Sequence, residues 1–329
     1  MSADRSAAGA RAPGRADVEA AAARIAPHVR TTPVLGVELD GATVELKLEC
    51  LQVSGTFKAR GAFARLTAAP EGPRRVVAAS GGNHGIAVAY AARRLGWRAD
   101  VFVPRTSPAA KVERLSALGA TVHAEGDEYA HAYAASRAFA AAEGALESHA
   151  YDQFDTLAGQ GTLAREWLAQ TAGTDVWLVA VGGGGLIGGI AAWLEALAGD
   201  GAPVPRLVAV ESEGCPTLHA ALAAGRIVEV APSGLAADSL GARRVGELMF
   251  PLARTRIAES VLVPDAAIAA AQARLWRETR IAAEPGGAAA FAALASGAWR
   301  PAAGERVGVL VCGANVDPRA IAGALDASP

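Results

Sequence analysis

The sequence predicts an α/β protein in which two open, twisted sheets carry helices on both faces. Short runs rich in β-branched residues alternate with longer runs rich in alanine and leucine, as in "RRVVAAS" followed by "GIAVAYAARRLG". This alternation is typical of β-α-β units, which build parallel sheets covered by helices. Three unusual loops also follow strand-like runs, at the edge where parallel sheets bind their ligands.

The composition indicates a large globular protein without a strong charge. The chain has 329 residues, of which 52% are hydrophobic, 31 are basic and 33 are acidic. Such a chain can bury a core for one large or two medium domains. The sequence has no dense run of like charges that would favour a nucleic acid or a membrane as partner. A small neutral or zwitterionic ligand is therefore expected.

The cysteines and the N-terminal segment favour the cytoplasm. Cys50, Cys215 and Cys312 are far apart and lack CxxC spacing, which argues against a disulfide framework and a zinc site. The N-terminal segment has charges where a secretory signal needs an apolar centre, so no such signal is expected. Residues 1–15 are instead expected to form a disordered tail. A mitochondrial presequence is the alternative, weakened by Asp4 and Asp17. No run reaches the roughly 18 apolar residues of a membrane span.

The alternation falls into two blocks, which predict the two sheets. Strand-like runs "RRVVAAS", "ADVFVP" and "ATVHAEG" belong to the first, and "DVWLVAV", "RLVAVES" and "RVGVLVC" to the second. The first sheet is therefore predicted within residues 66–151, and the second from the remaining chain. No repeat of fixed period and no low-complexity linker interrupts the pattern.

The first unusual loop is "SGGNHG", from Ser80 to Gly85. Its glycines allow the backbone to approach a ligand, and Ser80 and Asn83 add short polar side chains ahead of a helix N-terminus. A simple helix cap is the alternative interpretation, since Ser and Asn often serve as caps.

The second loop, "GGGG" at residues 182–185, lies between a buried strand and an apolar helix. Glycine within an element costs about 0.5–1 kcal/mol relative to alanine, so four in a row need a reason. Backbone amides that bind a phosphate at a helix N-terminus supply one, and a flexible linker is the alternative. The third loop, "CGAN" from Cys312 to Asn315, places a thiol either at a site or in the core.

A dinucleotide-binding dehydrogenase is a competing interpretation. Gly183, Gly185 and Gly188 form G-x-G-x-x-G after a strand, and Glu211 ends the next strand. Such a fingerprint usually opens the first β-α-β unit of a domain, whereas this one lies mid-chain. It also leaves unexplained "SGGNHG" and Lys58, which could otherwise be an ordinary solvated lysine at a helix start.

Six segments together resemble the fold-type II pyridoxal-phosphate enzymes, whose fold is tryptophan synthase beta-like, and most resemble the serine/threonine dehydratases. In chain order they are "SGTFKARGA", "SGGNHGIAVAYAA", "VPRTSPAAKVERLSALGATV", "GGGGLIGG", "EPGGAAA" and "CGANVD". The resemblance spans roughly residues 30–320. It implies a large cofactor-binding domain of residues 16–65 and 152–329, a small mobile domain of residues 66–151, and a homodimer.

The resemblance also implies roles for individual residues. Lys58 would carry pyridoxal phosphate covalently and act as the catalytic base, with Phe57 on one face of the ring and Cys312 as the neutral partner of the ring nitrogen. The implied cofactor-binding residues are Phe57, Lys58, Asn83, Gly182, Gly183, Gly184, Gly185, Leu186, Glu284 and Cys312. The implied substrate-binding residues are Ser80, Gly81, Gly82, Asn83 and His84.

The implied reaction is β-elimination of the hydroxyl group from L-threonine or L-serine, after which the enamine hydrolyses to a 2-oxo acid and ammonia. Alternatives are a racemase, a dehydratase of 3-hydroxyaspartate, phenylserine or a hydroxyectoine-derived substrate, and a degenerate binding protein. Similar racemases carry a serine where this chain has Gly81, which favours the dehydratase. Relatives with a divalent-cation site carry a second acid six residues after the position of Glu211. Here that residue is Thr217, so Glu211 is at most a lone metal ligand.

Overall fold

The computed structural model describes residues 11–72, 74–171 and 173–326, which fold around two sheets, as the sequence predicts. The strands are β1 (Val34–Leu39), β2 (Ala42–Lys47), β3 (Arg75–Ala79), β4 (Arg98–Val103), β5 (Thr121–Ala124), β6 (Leu146–Glu147), β7 (Val176–Ala180), β8 (Arg206–Ser212), β9 (Ile257–Val263) and β10 (Val307–Leu310). The helices are α1 (Arg15–Ile25), α2 (Lys58–Thr67), α3 (Asn83–Leu95), α4 (Ala109–Ala117), α5 (Tyr129–Glu143), α6 (Phe154–Gln170), α7 (Gly185–Gly199), α8 (Thr217–Ala224), α9 (Ala237–Leu240), α10 (Phe250–Arg256), α11 (Asp265–Thr279), α12 (Pro285–Ala295) and α13 (Pro318–Asp326). Of the predicted disordered tail, residues 1–10 lie outside the described ranges, Arg11 contacts Asp17, and α1 already begins at Arg15.

The smaller sheet has four parallel strands in the order β5-β4-β3-β6. All four lie within the stretch predicted for the small domain. Val76 and Val101 on its two central strands are fully buried, because α3 and α5 both pack on these strands. The mobility of this part of the chain stays a prediction.

The larger sheet has six strands in the order β1-β2-β10-β7-β8-β9, and only the β1–β2 pair is antiparallel. Strand β10 enters between β2 and β7, where Val309 lies opposite both Leu46 and Leu178. This order brings the last strand of the chain beside the segment that leads to Lys58. Thr56 forms a bridge with Gly313, and the Phe57 N–H donates to the Cys312 carbonyl at 3.1 Å.

The apolar core around the larger sheet contains the stacked pair Trp167 and Trp177, whose ring centroids lie 4.0 Å apart. At Gly308 a Cβ would lie 2.7 Å from the Trp167 ring, so this strand position accepts no side chain. A second apolar cluster joins α2 to α3 and the smaller sheet. None of the helices in the described ranges is long and apolar enough to cross a membrane.

Candidate active site

Lys58 stands at the first position of α2, directly after two short 3-10 turns. In the second of these turns, Val53–Gly55, the backbones of Ser54 and Gly55 are both left-handed, with φ of 64° and 72°. The Lys58 Nζ donates to the Ala150 carbonyl at 2.8 Å and lies 5.1 Å from the centroid of the Phe57 ring. Burial lowers its pKa to about 8, so the amine can lose its proton near neutral pH and act as a nucleophile.

A buried charge network holds α2 in place behind Lys58. Arg60 donates to Glu49 at 2.6 Å and to Glu166 at 2.8 Å, and Lys47 donates to Glu166 at 2.5 Å. Arg60, Lys47 and Glu49 are almost fully buried. Loss of one partner would leave an unpaired buried charge, which typically costs about 3–5 kcal/mol. The network therefore ties the lysine-bearing helix to β2 and α6.

The glycine loop, residues 182–185, connects β7 to the N-terminus of α7. A Cβ at Gly183 would lie 2.3 Å from the Tyr151 ring, and one at Gly184, where φ is 84°, would lie 2.7 Å from Met249. The loop thus packs too closely for side chains, and all four of its glycines line the cleft. The backbone amides at a helix N-terminus favour an anion such as a phosphate.

The "SGGNHG" loop connects β3 to α3 and places Asn83 between two partners. The Asn83 Nδ2 donates to Glu284 Oε1 at 2.6 Å, and its Oδ1 accepts from Asn315 Nδ2 at 2.6 Å. The His84 Nε2 lies 2.9 Å from the Ser148 carbonyl, and burial lowers the pKa of its ring to about 3. His84 is therefore neutral and its ring donates to Ser148, while its backbone N–H belongs to the first turn of α3.

Glu284 and Cys312 are two buried acidic groups that stay protonated more readily than usual. Burial raises the pKa of Glu284 to about 7, although the hydrogen bond from Asn83 acts against this. Burial also raises the pKa of the Cys312 thiol, whose Sγ donates to the Gly286 carbonyl at 3.4 Å. Cys312 consequently presents a neutral thiol to the cleft.

One cleft brings together all ten residues predicted to bind the cofactor. It is lined by Phe57, Lys58, Asn83, Tyr151, Ala180, Val181, Gly182, Gly183, Gly184, Gly185, Leu186, Ser239, Leu240, Glu284, Gly286 and Cys312. Ser80, Gly81, Gly82 and His84 adjoin it through the N-terminus of α3 but are not part of this lining. Sequence reasoning missed Tyr151 and Ser239. Tyr151 shortly follows β6, so a search of every loop after a strand could have found it, whereas Ser239 follows no strand.

Glu211 has a structural role at the start of α8. Its Oε1 accepts from the Leu218 N–H at 2.8 Å and the Thr217 hydroxyl at 2.9 Å, and its Oε2 accepts from the His219 N–H at 2.7 Å. In the part of the chain that the structure describes, no group of three or more His, Cys, Asp or Glu residues is placed to hold a metal ion.

Comparison with known proteins gives the family. Residues 25–313 match the model of the family described as pyridoxal-phosphate dependent enzyme. The chain belongs to this family. Its glycine loop falls inside the match, so the dehydrogenase interpretation is not retained, and the predicted cofactor, pyridoxal phosphate, is confirmed.

Individual relatives agree with the family match. The chain is 38% identical to phenylserine dehydratase of Ralstonia pickettii, with 90% of this chain and 91% of the relative covered. It is 33% identical to L-threonine ammonia-lyase of Thermotoga maritima, with 85% and 69% covered. The structure of maize serine racemase matches with a TM-score of 0.87 and 32% identity, covering 96% of this chain and 97% of that one. This pyridoxal-phosphate enzyme therefore has both dehydratases and racemases among its relatives.

Proposed function

We propose that this enzyme eliminates water from a β-hydroxy amino acid and releases an enamine, which takes up water again and hydrolyses to a 2-oxo acid and ammonia. The observation that carries the proposal is a single cleft in which the Lys58 amine, the neutral Cys312 thiol and the glycine loop meet. These groups fit the cofactor. The glycine loop offers amides to its phosphate, Lys58 offers an amine of lowered pKa to its aldehyde, and Cys312 offers a neutral donor to its ring nitrogen.

The remaining cofactor-binding residues have assigned places in the proposal. Leu186 extends the first turn of α7, and Phe57 would pack against the cofactor ring. Asn83 would hold the cofactor by a hydrogen bond, and Glu284 holds Asn83 in position through their 2.6 Å hydrogen bond. When bound, pyridoxal phosphate withdraws electrons from the substrate and so acidifies its Cα–H.

Lys58 is the proposed base for the Cα proton. With a pKa of about 8, roughly a tenth of the amine is unprotonated at pH 7, and this fraction rises to about half at pH 8. Lys58 removes the Cα proton, a Cα–Cβ double bond forms, and the β-hydroxyl takes up one proton and leaves as water, so that the step releases one water in all. The released enamine then hydrolyses to the 2-oxo acid and ammonia. A neutral Cys312 supplies no proton to the ring nitrogen, which favours loss of the β-substituent over transamination.

The N-terminus of α3 is the proposed site of the substrate carboxylate. Residues 80–84 lie at the positive end of a 13-residue helix, and the first-turn N–H groups of such a helix favour an anion. Ser80 adds a hydroxyl, and the 3.2 Å hydrogen bond that this oxygen accepts from the Gly82 N–H shapes the loop. L-serine and L-threonine are proposed as substrates from the family resemblance.

The proposal extends to location and assembly. Three buried free cysteines, Cys50, Cys215 and Cys312, support a reducing cytoplasm. A homodimer is proposed from the family resemblance, and light scattering of the purified protein tests it.

Release of 2-oxo acid from a panel of β-hydroxy amino acids tests the proposed reaction. The panel contains L-serine, L-threonine, phenylserine and 3-hydroxyaspartate, and the matched control is Lys58→Ala. We expect 2-oxo acid and ammonia in equal amounts from the unmodified enzyme and none from the variant. Unchanged activity in Lys58→Ala, or no 2-oxo acid from any member of the panel, would contradict the proposal.

A further inference from the structure

A short chain of buried polar groups holds the glycine loop from the side of the protein core. The Thr217 hydroxyl lies 2.6 Å from the Gly182 carbonyl oxygen and 2.9 Å from Glu211 Oε1. Thr217 and Glu211 are fully buried, so water does not compete for these hydrogen bonds. The hydroxyl has one proton to donate, and it shares that proton between the two acceptors, with the shorter distance to Gly182.

Glu211 fixes the position of Thr217. This carboxylate stands near the end of β8, where its oxygens also accept from the Leu218 N–H at 2.8 Å and the His219 N–H at 2.7 Å. Thr217 is the first residue of α8, so these bonds tie the first turn of that helix to the end of β8. The Thr217 hydroxyl therefore cannot shift without breaking buried hydrogen bonds.

The bond to Thr217 sets the direction of an amide in the glycine loop. In a trans peptide unit, the carbonyl and the N–H of the following residue point in opposite directions. A Gly182 carbonyl that faces Thr217 therefore turns the Gly183 N–H away from Thr217. The next unit is fixed in a similar way, since the Gly183 carbonyl accepts from the Gly246 N–H at 3.0 Å.

A loop of four glycines needs such bonds to keep one conformation, because glycine has the widest backbone freedom of all residues. Within the ranges that the structure describes, Thr217 is the one side chain that forms a hydrogen bond with residues 182–185. All four glycines line the cleft, whereas Thr217 does not. Thr217 thus acts on the cleft through the loop.

We propose that Thr217, held by Glu211, is a positioning residue for the cofactor phosphate, and that its hydroxyl fills this role without a divalent cation. The inference rests on the proposed binding of the phosphate at the glycine loop. An acid at position 217, as in relatives with a cation site, would place a second carboxylate against Glu211 and the Gly182 carbonyl, all acceptors. Thr217 supplies a proton there instead, so these donors do not fit a divalent cation.

The first test measures the dissociation constant of pyridoxal phosphate by equilibrium dialysis of the holoenzyme. Thr217→Val keeps the size of the side chain and removes the hydroxyl, so we expect the constant to rise about tenfold, equivalent to about 1.4 kcal/mol. Thr217→Ser keeps the hydroxyl and should stay close to the unmodified enzyme. Thr171→Val is the matched control, since the Thr171 hydroxyl is also buried and donates to a carbonyl, that of Trp167, at 3.0 Å.

The second test is the phosphorus NMR spectrum of the bound cofactor. A general loss of stability would leave the resonance of the bound phosphate in place, whereas a displaced loop would move it. We expect a different chemical shift in Thr217→Val, and the unmodified shift in Thr217→Ser and Thr171→Val.

A third test needs no variant. The unmodified holoenzyme is dialysed against EDTA, and the dissociation constant of pyridoxal phosphate is measured before and after addition of MgCl2. We expect the same value in both. Weaker binding in EDTA that MgCl2 reverses would overturn the proposal, even if Thr217→Val does not fold.

The outcomes separate this inference from the function on which it rests. If Gly183→Ala leaves the affinity for pyridoxal phosphate unchanged, the phosphate does not lie at the glycine loop, and that part of the proposed function fails. If Gly183→Ala weakens binding but Thr217→Val changes neither the affinity nor the phosphorus spectrum, the positioning role is wrong while the proposed function stands. Thr217→Ser that binds as weakly as Thr217→Val would also overturn the role of the hydroxyl.

Discussion

Replacing Gly81 by serine should turn part of this enzyme's activity from elimination to racemisation. Racemisation needs a proton donor on each side of Cα, because the proton removed from one side must be replaced from the other. Lys58 serves one side, and Gly81 has no side chain to serve the opposite one. The unmodified enzyme is therefore expected to form little D-serine from L-serine.

The surroundings of Gly81 admit the new side chain. A Cβ there would lie 3.4 Å from Val103, 3.8 Å from Lys111 and 3.9 Å from Ser107, all ordinary contact distances. The free energy of unfolding should therefore change by no more than about 0.5 kcal/mol. A positioned proton donor typically contributes about 10²–10⁴-fold, so the ratio of D-serine to 2-oxo acid should rise by about 10²-fold.

Chiral chromatography of the L-serine reaction measures this ratio. Gly82→Ser is the matched control, since a Cβ at Gly82 also fits, 3.8 Å from the Asp238 carbonyl, but stands at the neighbouring position. Abundant D-serine from the unmodified enzyme would refute the reasoning. So would a folded Gly81→Ser variant whose ratio equals that of Gly82→Ser.

Three further variants test other parts of the site. Cys312→Ser should keep most of the elimination activity. Cys312→Asp should eliminate more slowly and also catalyse transamination, because an acid would protonate the ring nitrogen. Equal elimination rates in the two variants would show that Cys312 is not the partner of the ring nitrogen. Gly183→Ala places a methyl 2.3 Å from the Tyr151 ring, a strain of about 1–3 kcal/mol, and should weaken cofactor binding in equilibrium dialysis. Burial raises the pKa of Glu211 to about 7 from its usual 4.5, so the folded state binds more protons between these values and this carboxyl's contribution to stability falls as pH rises from 4.5 to 7. The free energy of unfolding of Glu211→Gln, measured with denaturant between pH 4.5 and 7, should therefore fall less with rising pH than that of the unmodified protein. The same pH dependence in both proteins would contradict the raised pKa.

The residues predicted to bind the cofactor lie in short local motifs, which made them the easiest part of the site to pick out. Lys58 and Cys312 were singled out by the family resemblance and the glycine loop by its four consecutive glycines. The structure places all of them in one cleft, and their chemical roles stay predictions. Their meeting in one cleft depends on the strand order, in which β10 enters between β2 and β7. Local patterns carry no information about that order, and the motif resemblance supplied it.

Side-chain direction was the least predictable part. His84 lies in a motif that implied substrate binding, but its ring donates to Ser148, because a buried imidazole needs a partner and that carbonyl lies 2.9 Å away. Tyr151 was missed because neither its type nor its spacing shows that it faces Gly183. The β1–β2 hairpin was also missed, although its turn, Asp40 and Gly41, has the Asp-Gly sequence and positive φ values of a tight hairpin.

Reduction of the purified holoenzyme with borohydride, followed by peptide mapping, tests the central claim most directly. The chain contains only three lysines, Lys47, Lys58 and Lys111, so the cofactor has few amines to join. Lys47 is fully buried and bonded to Glu166, and Lys111 pairs with Asp238, whereas the Lys58 amine faces the cleft. We predict a yellow protein in which the reduced cofactor is attached to Lys58 alone. A label on Lys47 or Lys111, or a colourless protein that takes up no pyridoxal phosphate, would contradict the account.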